Sequence, residues 1–133
     1  MSPFQTILLV DDDSISNFIT EKLILRENFA QQVTSFLSAE AALAYLEDLE
    51  KNNRKAPDII FLDLNMPEMD GFEATKQLRS RGITVPVIAL TATLPAEIAD
   101  KINAAGFTDI IVKPFDPDGL CRTILKYRKG GEG

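Results

Sequence analysis

Apolar positions in this chain fall into two alternating patterns: short unbroken runs, and stripes at helical spacing. Ile59 to Leu62 are apolar without interruption and stop at the carboxylate of Asp63. Ile7 to Val10 repeat the arrangement and stop at Asp11, Asp12 and Asp13. Such runs suit parallel strands buried on both faces. Ile110 to Val112 form another, ending at Lys113-Pro114-Phe115. Val85 to Leu90 end at Thr91-Ala92-Thr93, with Pro86 near the start, where a missing N–H is tolerated. Val33 to Phe36 are interleaved with Gln32, Thr34 and Ser35, which suits a sheet edge.

The stripes lie between the runs. The first helix is expected from about Ser14 to Glu27, with Ile15, Phe18, Ile19 and Leu23 as its apolar face and Asp13 at its cap. Ser38 caps a second, whose buried face includes Ala39, Leu43, Leu46 and Leu49. Met66-Pro67 forces a turn, and Asp70 with Glu73 reads as the capping box of a third helix carrying Phe72, Thr75, Leu78 and Arg79. Pro95 opens a fourth helix and Gly106 stops it. Asp116-Pro117 starts the last, with Leu120, Ile124 and Tyr127 inward.

Strand then helix, five times over, calls for an α/β fold: a parallel five-stranded sheet, doubly wound, with helices on both faces. Right-handed crossovers and a polar second strand favour the strand order 2-1-3-4-5. One domain is expected over 4–129, with 1–3 and 130–133 as tails.

Composition narrows the function. The chain has 133 residues, 45% of them hydrophobic, which suits one domain with a real core. Its net charge of −6 argues against a nucleic-acid surface. No apolar run approaches the ~20 residues of a membrane helix, and no leader opens the chain, so a cytoplasmic protein is expected. Cys121 reads as a packed thiol in a reducing compartment. Histidine is absent, which excludes His-based acid–base chemistry, His metal ligands and a phosphohistidine within this chain. Lys126, Arg128 and Lys129 suit a helix C-terminus and need no partner.

Ligands of open α/β sheets bind just outside the carboxyl ends of the strands. Here those ends carry Asp11 and Asp12, Asp63, Thr91 and Lys113, on neighbouring strands roughly 4.8 Å apart. Three carboxylates that close repel one another, so positive charge must join them. Lys113 supplies one charge and a divalent cation the rest. Oxygen ligands without His or Cys fit Mg2+ (or Mn2+) and fit zinc poorly. An aspartate can act as a nucleophile towards phosphorus, and the transfer needs chiefly positioning and charge neutralisation. Thr91 offers a hydroxyl, and Ala92 leaves room for phosphoryl oxygens.

At these residues the chain resembles the receiver domains of two-component response regulators. The matching elements are Val10-Asp11-Asp12, Asp63 with Met66-Pro67 and Asp70-Gly71, Thr91-Ala92, and Lys113-Pro114-Phe115. The resemblance implies a flavodoxin-like (βα)5 fold and a phosphoacceptor at Asp63. It implies direct magnesium ligation by Asp12 and Asp63, with Asn65 giving its main-chain carbonyl and Asp11 acting through water. Thr91, Ala92 and Lys113 would surround the phosphoryl group. The implied donor is a histidine kinase or histidine phosphotransfer domain, and the implied output is a switch in binding to a downstream protein, without turnover as an enzyme. One departure stands out. The family commonly has a switching aromatic three positions before the lysine, and this chain has Ile110. Only the Thr91 half of that switch is expected to operate as in the family, and Asn65 and Thr93 fall where the family tunes phosphoryl lifetime.

Two other readings compete. Asp11-Asp12-Asp13-Ser14-Ile15 is close to the acidic signature of haloacid-dehalogenase-type phosphatases, which would make Asp11 the nucleophile and Asp13 the acid. A flavin carrier shares the topology, but its phosphate would meet three carboxylates after the first strand.

Overall fold

The computed structural model describes residues 4–64, 71–91, 96–112 and 117–127. Strands and helices alternate: β1 (Phe4–Val10), α1 (Ser14–Arg26), β2 (Ala30–Phe36), α2 (Ala39–Lys51), β3 (Ile59–Asp63), α3 (Gly71–Ser80), β4 (Val87–Thr91), α4 (Ala96–Ala105), β5 (Asp109–Val112) and α5 (Pro117–Lys126). All pairings are parallel, in the order β2-β1-β3-β4-β5. The mixed strand β2 lies at one edge and the unbroken runs of β1, β3 and β4 lie inside, as their polarity requires. The run of β5 departs from that expectation: it forms the other edge, and Val112 is 43% exposed.

Alternate residues of each strand feed two cores. Leu8, Val10, Ile60, Leu62, Val87 and Ala89 pack against α2, α3 and α4. Ile7, Leu9, Ile59, Phe61, Ile88 and Leu90 pack against Ile24 of α1 and Leu120 and Ile124 of α5. That division is the doubly wound arrangement. Two strands begin earlier than the apolar pattern suggests: β1 at Phe4 and β2 at Ala30, where Phe4 pairs with Ala30. β4 begins later, after Pro86, whose carbonyl accepts from the N–H of Ile60 at 2.9 Å.

Helix α1 corrects the sequence expectation. Ile15, Phe18 and Ile19 are 68%, 61% and 60% exposed, whereas Asn17, Thr20 and Ile24 are buried. The cause is hydrogen bonding. The Asn17 amide donates to the main-chain carbonyls of Asp11, at 3.0 Å, and Phe36, at 3.2 Å, at the ends of β1 and β2. An amide that satisfies two strand-end carbonyls has reason to be inside, and it turns the apolar stripe outward.

Two charged residues hold the opposite end of the sheet. Asp58 is 3% exposed and accepts from the N–H groups of Gln5, at 2.7 Å, and Thr6, at 3.3 Å. Its other oxygen lies 3.1 Å from the Lys55 ammonium. Arg79, at the end of α3, donates to the carbonyls of Gly106, Ile83 and Val85 at 2.8–2.9 Å and to the Thr108 hydroxyl at 3.2 Å. Gly106 ends α4 with φ of +102°, and a Cβ there would meet Arg79 Cγ at 2.9 Å.

Candidate functional site

β1 and β3 are adjacent and in register at Val10 and Leu62, so the residues that follow, Asp11 and Asp63, emerge side by side. Asp63 ends β3 and is 5% exposed; Asp11 is 2% exposed. Asp12, one residue on, is exposed. One carboxylate oxygen from each of Asp11, Asp12 and Asp63 lies within 4.8 Å of the others.

Local hydrogen bonds fix this geometry. The N–H of Asp11 donates to Phe36 O at 3.2 Å, so the chain leaves β1 still tied to β2. Asp11 Oδ1 accepts from the N–H of Asp13 at 3.0 Å. Asp13 turns away from the cluster and caps α1, accepting from the Ile15 N–H at 3.0 Å. The three consecutive carboxylates thus separate into two that face the site and one that serves the helix.

On the far side of β3, the N–H of Leu64 donates to Leu90 O at 2.9 Å. Thr91 ends β4 next to it and is 2% exposed. α3 starts close by. A Cβ on Gly71 would stand 2.7 Å from the carbonyl oxygen of Asp63, so the helix approaches the strand end at a distance only glycine allows.

Asp11, Asp12, Asp63 and Thr91 are therefore gathered at one edge of the sheet. Asn65, Ala92 and Lys113 lie outside the described residues, as do the expected Asp70 cap, the Met66-Pro67 turn, Pro95, Pro114 and Asp116. Ile110 pairs with Ala89 and packs, half-buried, against the core shared with α2, α3 and α4. Sequence reasoning gave Asn17 no role, although it positions Asp11. A polar residue one turn past an acidic strand end was the available signal.

The donor set suits a hard cation: it is all oxygen, with two of its three carboxylates buried. Three carboxylates this close repel one another, and a divalent metal fits the cluster because it would offset that repulsion.

Comparison with known proteins agrees with this geometry. Residues 7–125 match the family described as response regulator receiver domain. Two-component system protein A of Emericella nidulans is 32% identical over 96% of this chain, which spans 18% of that protein's length. The chemotaxis protein CheY4 of Vibrio cholerae superposes with a TM-score of 0.81 at 28% identity, covering 92% of this chain and 98% of that one. The receiver domain of a sensor histidine kinase from Pseudomonas aeruginosa, solved with a magnesium ion in its active-site cleft, gives a TM-score of 0.77 at 30% identity, over 92% and 96% of the two chains. These matches lend no support to the phosphatase reading. With the strand order, the acidic edge and the matched span in agreement, this chain belongs to the response regulator receiver domain family of two-component signalling.

Proposed function

We propose that Asp63 accepts a phosphoryl group from a phosphohistidine on a partner protein, a histidine kinase or histidine phosphotransfer domain, and that the modified domain switches its binding to a downstream protein. The observation that carries this reading is the convergence of Asp11, Asp12 and Asp63 within 4.8 Å, beside buried Thr91. An Asp63 carboxylate oxygen attacks phosphorus, the new O–P bond forms as the donor's N–P bond breaks, and the imidazole departs with the electron pair.

Asp12 and Asp63 would hold Mg2+ (or Mn2+) directly, with the Asn65 carbonyl, while Asp11 acts through water. Bound there, the metal neutralises charge on the transferring oxygens. The Thr91 hydroxyl donates to one phosphoryl oxygen. Lys113, the residue after the end of β5, pairs with another, and Ala92 leaves room between them. With Ile110 in place of an aromatic, the signal leaves through Thr91 and α4. The group is taken up once per chain, so the domain is a switch rather than a turnover enzyme. We assign it to residues 4–129. The unpaired thiol of Cys121 supports a reducing compartment such as the cytoplasm. Among the described residues, no helix is long and apolar enough to cross a membrane.

Incubation with acetyl phosphate and Mg2+ should add one phosphoryl group per chain by mass spectrometry. Asp63→Asn should remove it, and EDTA should suppress it. Labelling that persists in Asp63→Asn defeats the assignment.

A further inference from the structure

Asn17 is a buried amide whose donors all serve one short stretch of backbone. It is 6% exposed and lies early in α1. Its main-chain N–H donates to Asp13 O at 3.1 Å, which ties it to the residue that caps the helix. Its Nδ2 donates to Asp11 O at 3.0 Å and to Phe36 O at 3.2 Å. An amide nitrogen carries two hydrogens, and both neighbours are carbonyls, so only the nitrogen can face them.

The carbonyl of Asp11 belongs to the peptide group that joins Asp11 to Asp12. Asn17 therefore holds that peptide group directly. The next one, between Asp12 and Asp13, is held from the other side, because its N–H donates to Asp11 Oδ1 at 3.0 Å. Asp12 is exposed, yet both peptide groups that flank it are pinned. Phe36 O also accepts the Asp11 N–H at 3.2 Å, so the corner that carries two of the three clustered carboxylates is fastened to the end of β2.

Such fastening matters unequally to different cations. Mg2+ demands near-ideal octahedral geometry and short bonds to oxygen, whereas Ca2+ accepts a larger and more variable ligand set. Slack in one carboxylate therefore costs Mg2+ more than Ca2+. Groups that orient metal ligands without ligating the metal commonly change affinity by about 10–100-fold.

We propose that Asn17 is a positioning residue for the acidic edge: by pinning the Asp11–Asp12 peptide group to the end of β2, it sets the preference of the site for Mg2+ over Ca2+. The inference rests on the reading of Asp12 and Asp63 as metal ligands. The Asn17 amide is spent on two carbonyls, so it acts through Asp11 and Asp12 and is not itself a ligand.

Titration of the full chain with Mg2+ and with Ca2+, each followed by the backbone NMR shifts of Asp11 to Asp13, gives the two dissociation constants. Wild type should bind Mg2+ more tightly. Asn17→Leu keeps a branched side chain and removes both bonds. It should weaken Mg2+ binding by about tenfold or more and Ca2+ binding by less, so that the ratio of the constants moves towards Ca2+. The Mg2+ concentration for half-maximal acetyl phosphate labelling should rise with the Mg2+ constant, while the rate at saturating Mg2+ falls less. Asp58→Ala loosens the opposite end of the sheet and should keep the wild-type ratio, which separates positioning from a general loss of stability. If Asn17→Leu does not fold, Asn17→Ser, which retains one hydroxyl donor, should move the ratio in the same direction by a smaller factor. A folded Asn17 variant with the wild-type ratio overturns the proposal, whether its affinities are unchanged or fall in equal proportion. A ratio that moves equally in Asp58→Ala overturns it too. A wild-type chain that binds neither cation strikes the metal reading on which the proposal stands, whereas normal wild-type binding with an unmoved ratio in the variants strikes the proposal alone.

Discussion

The hydroxyl of Tyr127 donates to Asp109 Oδ2 at 2.7 Å, tying the end of α5 to the first residue of β5. Lys126 reaches the same oxygen at 3.2 Å. Burial raises the Asp109 pKa, but the bonds from Tyr127, the Ile110 N–H and Lys126 outweigh it, and the carboxyl sits below its ordinary range. Burial and the bond to Asp109 push Tyr127 up to about 12 from 10.0.

The signs fix a pH prediction. A raised tyrosine pKa contributes stability that is full below 10 and lost as pH climbs through about 12. A lowered carboxyl pKa contributes stability that is present above its unfolded value and lost as pH falls through the folded one. Tyr127→Phe should be less stable than wild type at neutral pH, by about 1 kcal/mol. It should lose less stability than wild type across the alkaline window. Urea titrations at a series of pH values measure both, and parallel alkaline losses would count against the linkage.

Asp58 is a buried anion whose partners are main-chain N–H groups of β1 and the Lys55 ammonium. Asp58→Ala leaves those donors facing an empty site. A loss of about 3 kcal/mol is expected in equilibrium unfolding. The acidic edge lies at the other end of the sheet, so acetyl phosphate labelling of the folded fraction should stay near wild type.

Gly71→Ala sets a methyl group 2.7 Å from the Asp63 carbonyl oxygen and 3.0 Å from Leu64 Cα, both backbone atoms that must move. Stability should fall by about 1–3 kcal/mol. Unlike Asp58→Ala, this variant should also label more slowly and bind Mg2+ more weakly, because the displaced backbone carries Asp63. Labelling at the wild-type rate would show that the strand end tolerates the shift.

The carboxylates of Asp11, Asp12 and Asp63 repel one another when no cation is present. Asp12→Asn should therefore raise the melting temperature in EDTA by about 2–4 °C. The same variant should lose most of the rise that Mg2+ gives wild type. Calorimetry with and without metal separates the two effects, and a variant that melts lower in EDTA would contradict the account.

The strand ends were legible because each apolar run stops at a chemically distinctive residue, Asp11, Asp63 or Thr91, and a parallel sheet brings such ends together. The polarity of Gln32, Thr34 and Ser35 was enough to place β2 at an edge. The facing of α1 was not legible. Periodicity reports where apolar residues cluster, but the Asn17 amide bonds to carbonyls of Asp11 and Phe36, and those partners exist only once the strands are laid down. Asp58 escaped notice for a similar reason, since it reaches Gln5 across 53 positions of sequence. Arg79 reads as one more polar residue on a helix until four acceptors from other segments surround it.

Those four acceptors have a mechanical consequence. Arg79 moors the far end of α4, at Gly106, to the end of α3 and the start of β5, while the near end of α4 follows the strand that carries Thr91. Under the proposed switch, a pull that starts at Thr91 would meet a helix pinned at one end and would tilt it about that anchor instead of sliding it along its axis. Amide exchange should accordingly be slow around Gly106 in both phosphorylation states and should change, if anywhere in α4, in its first turn.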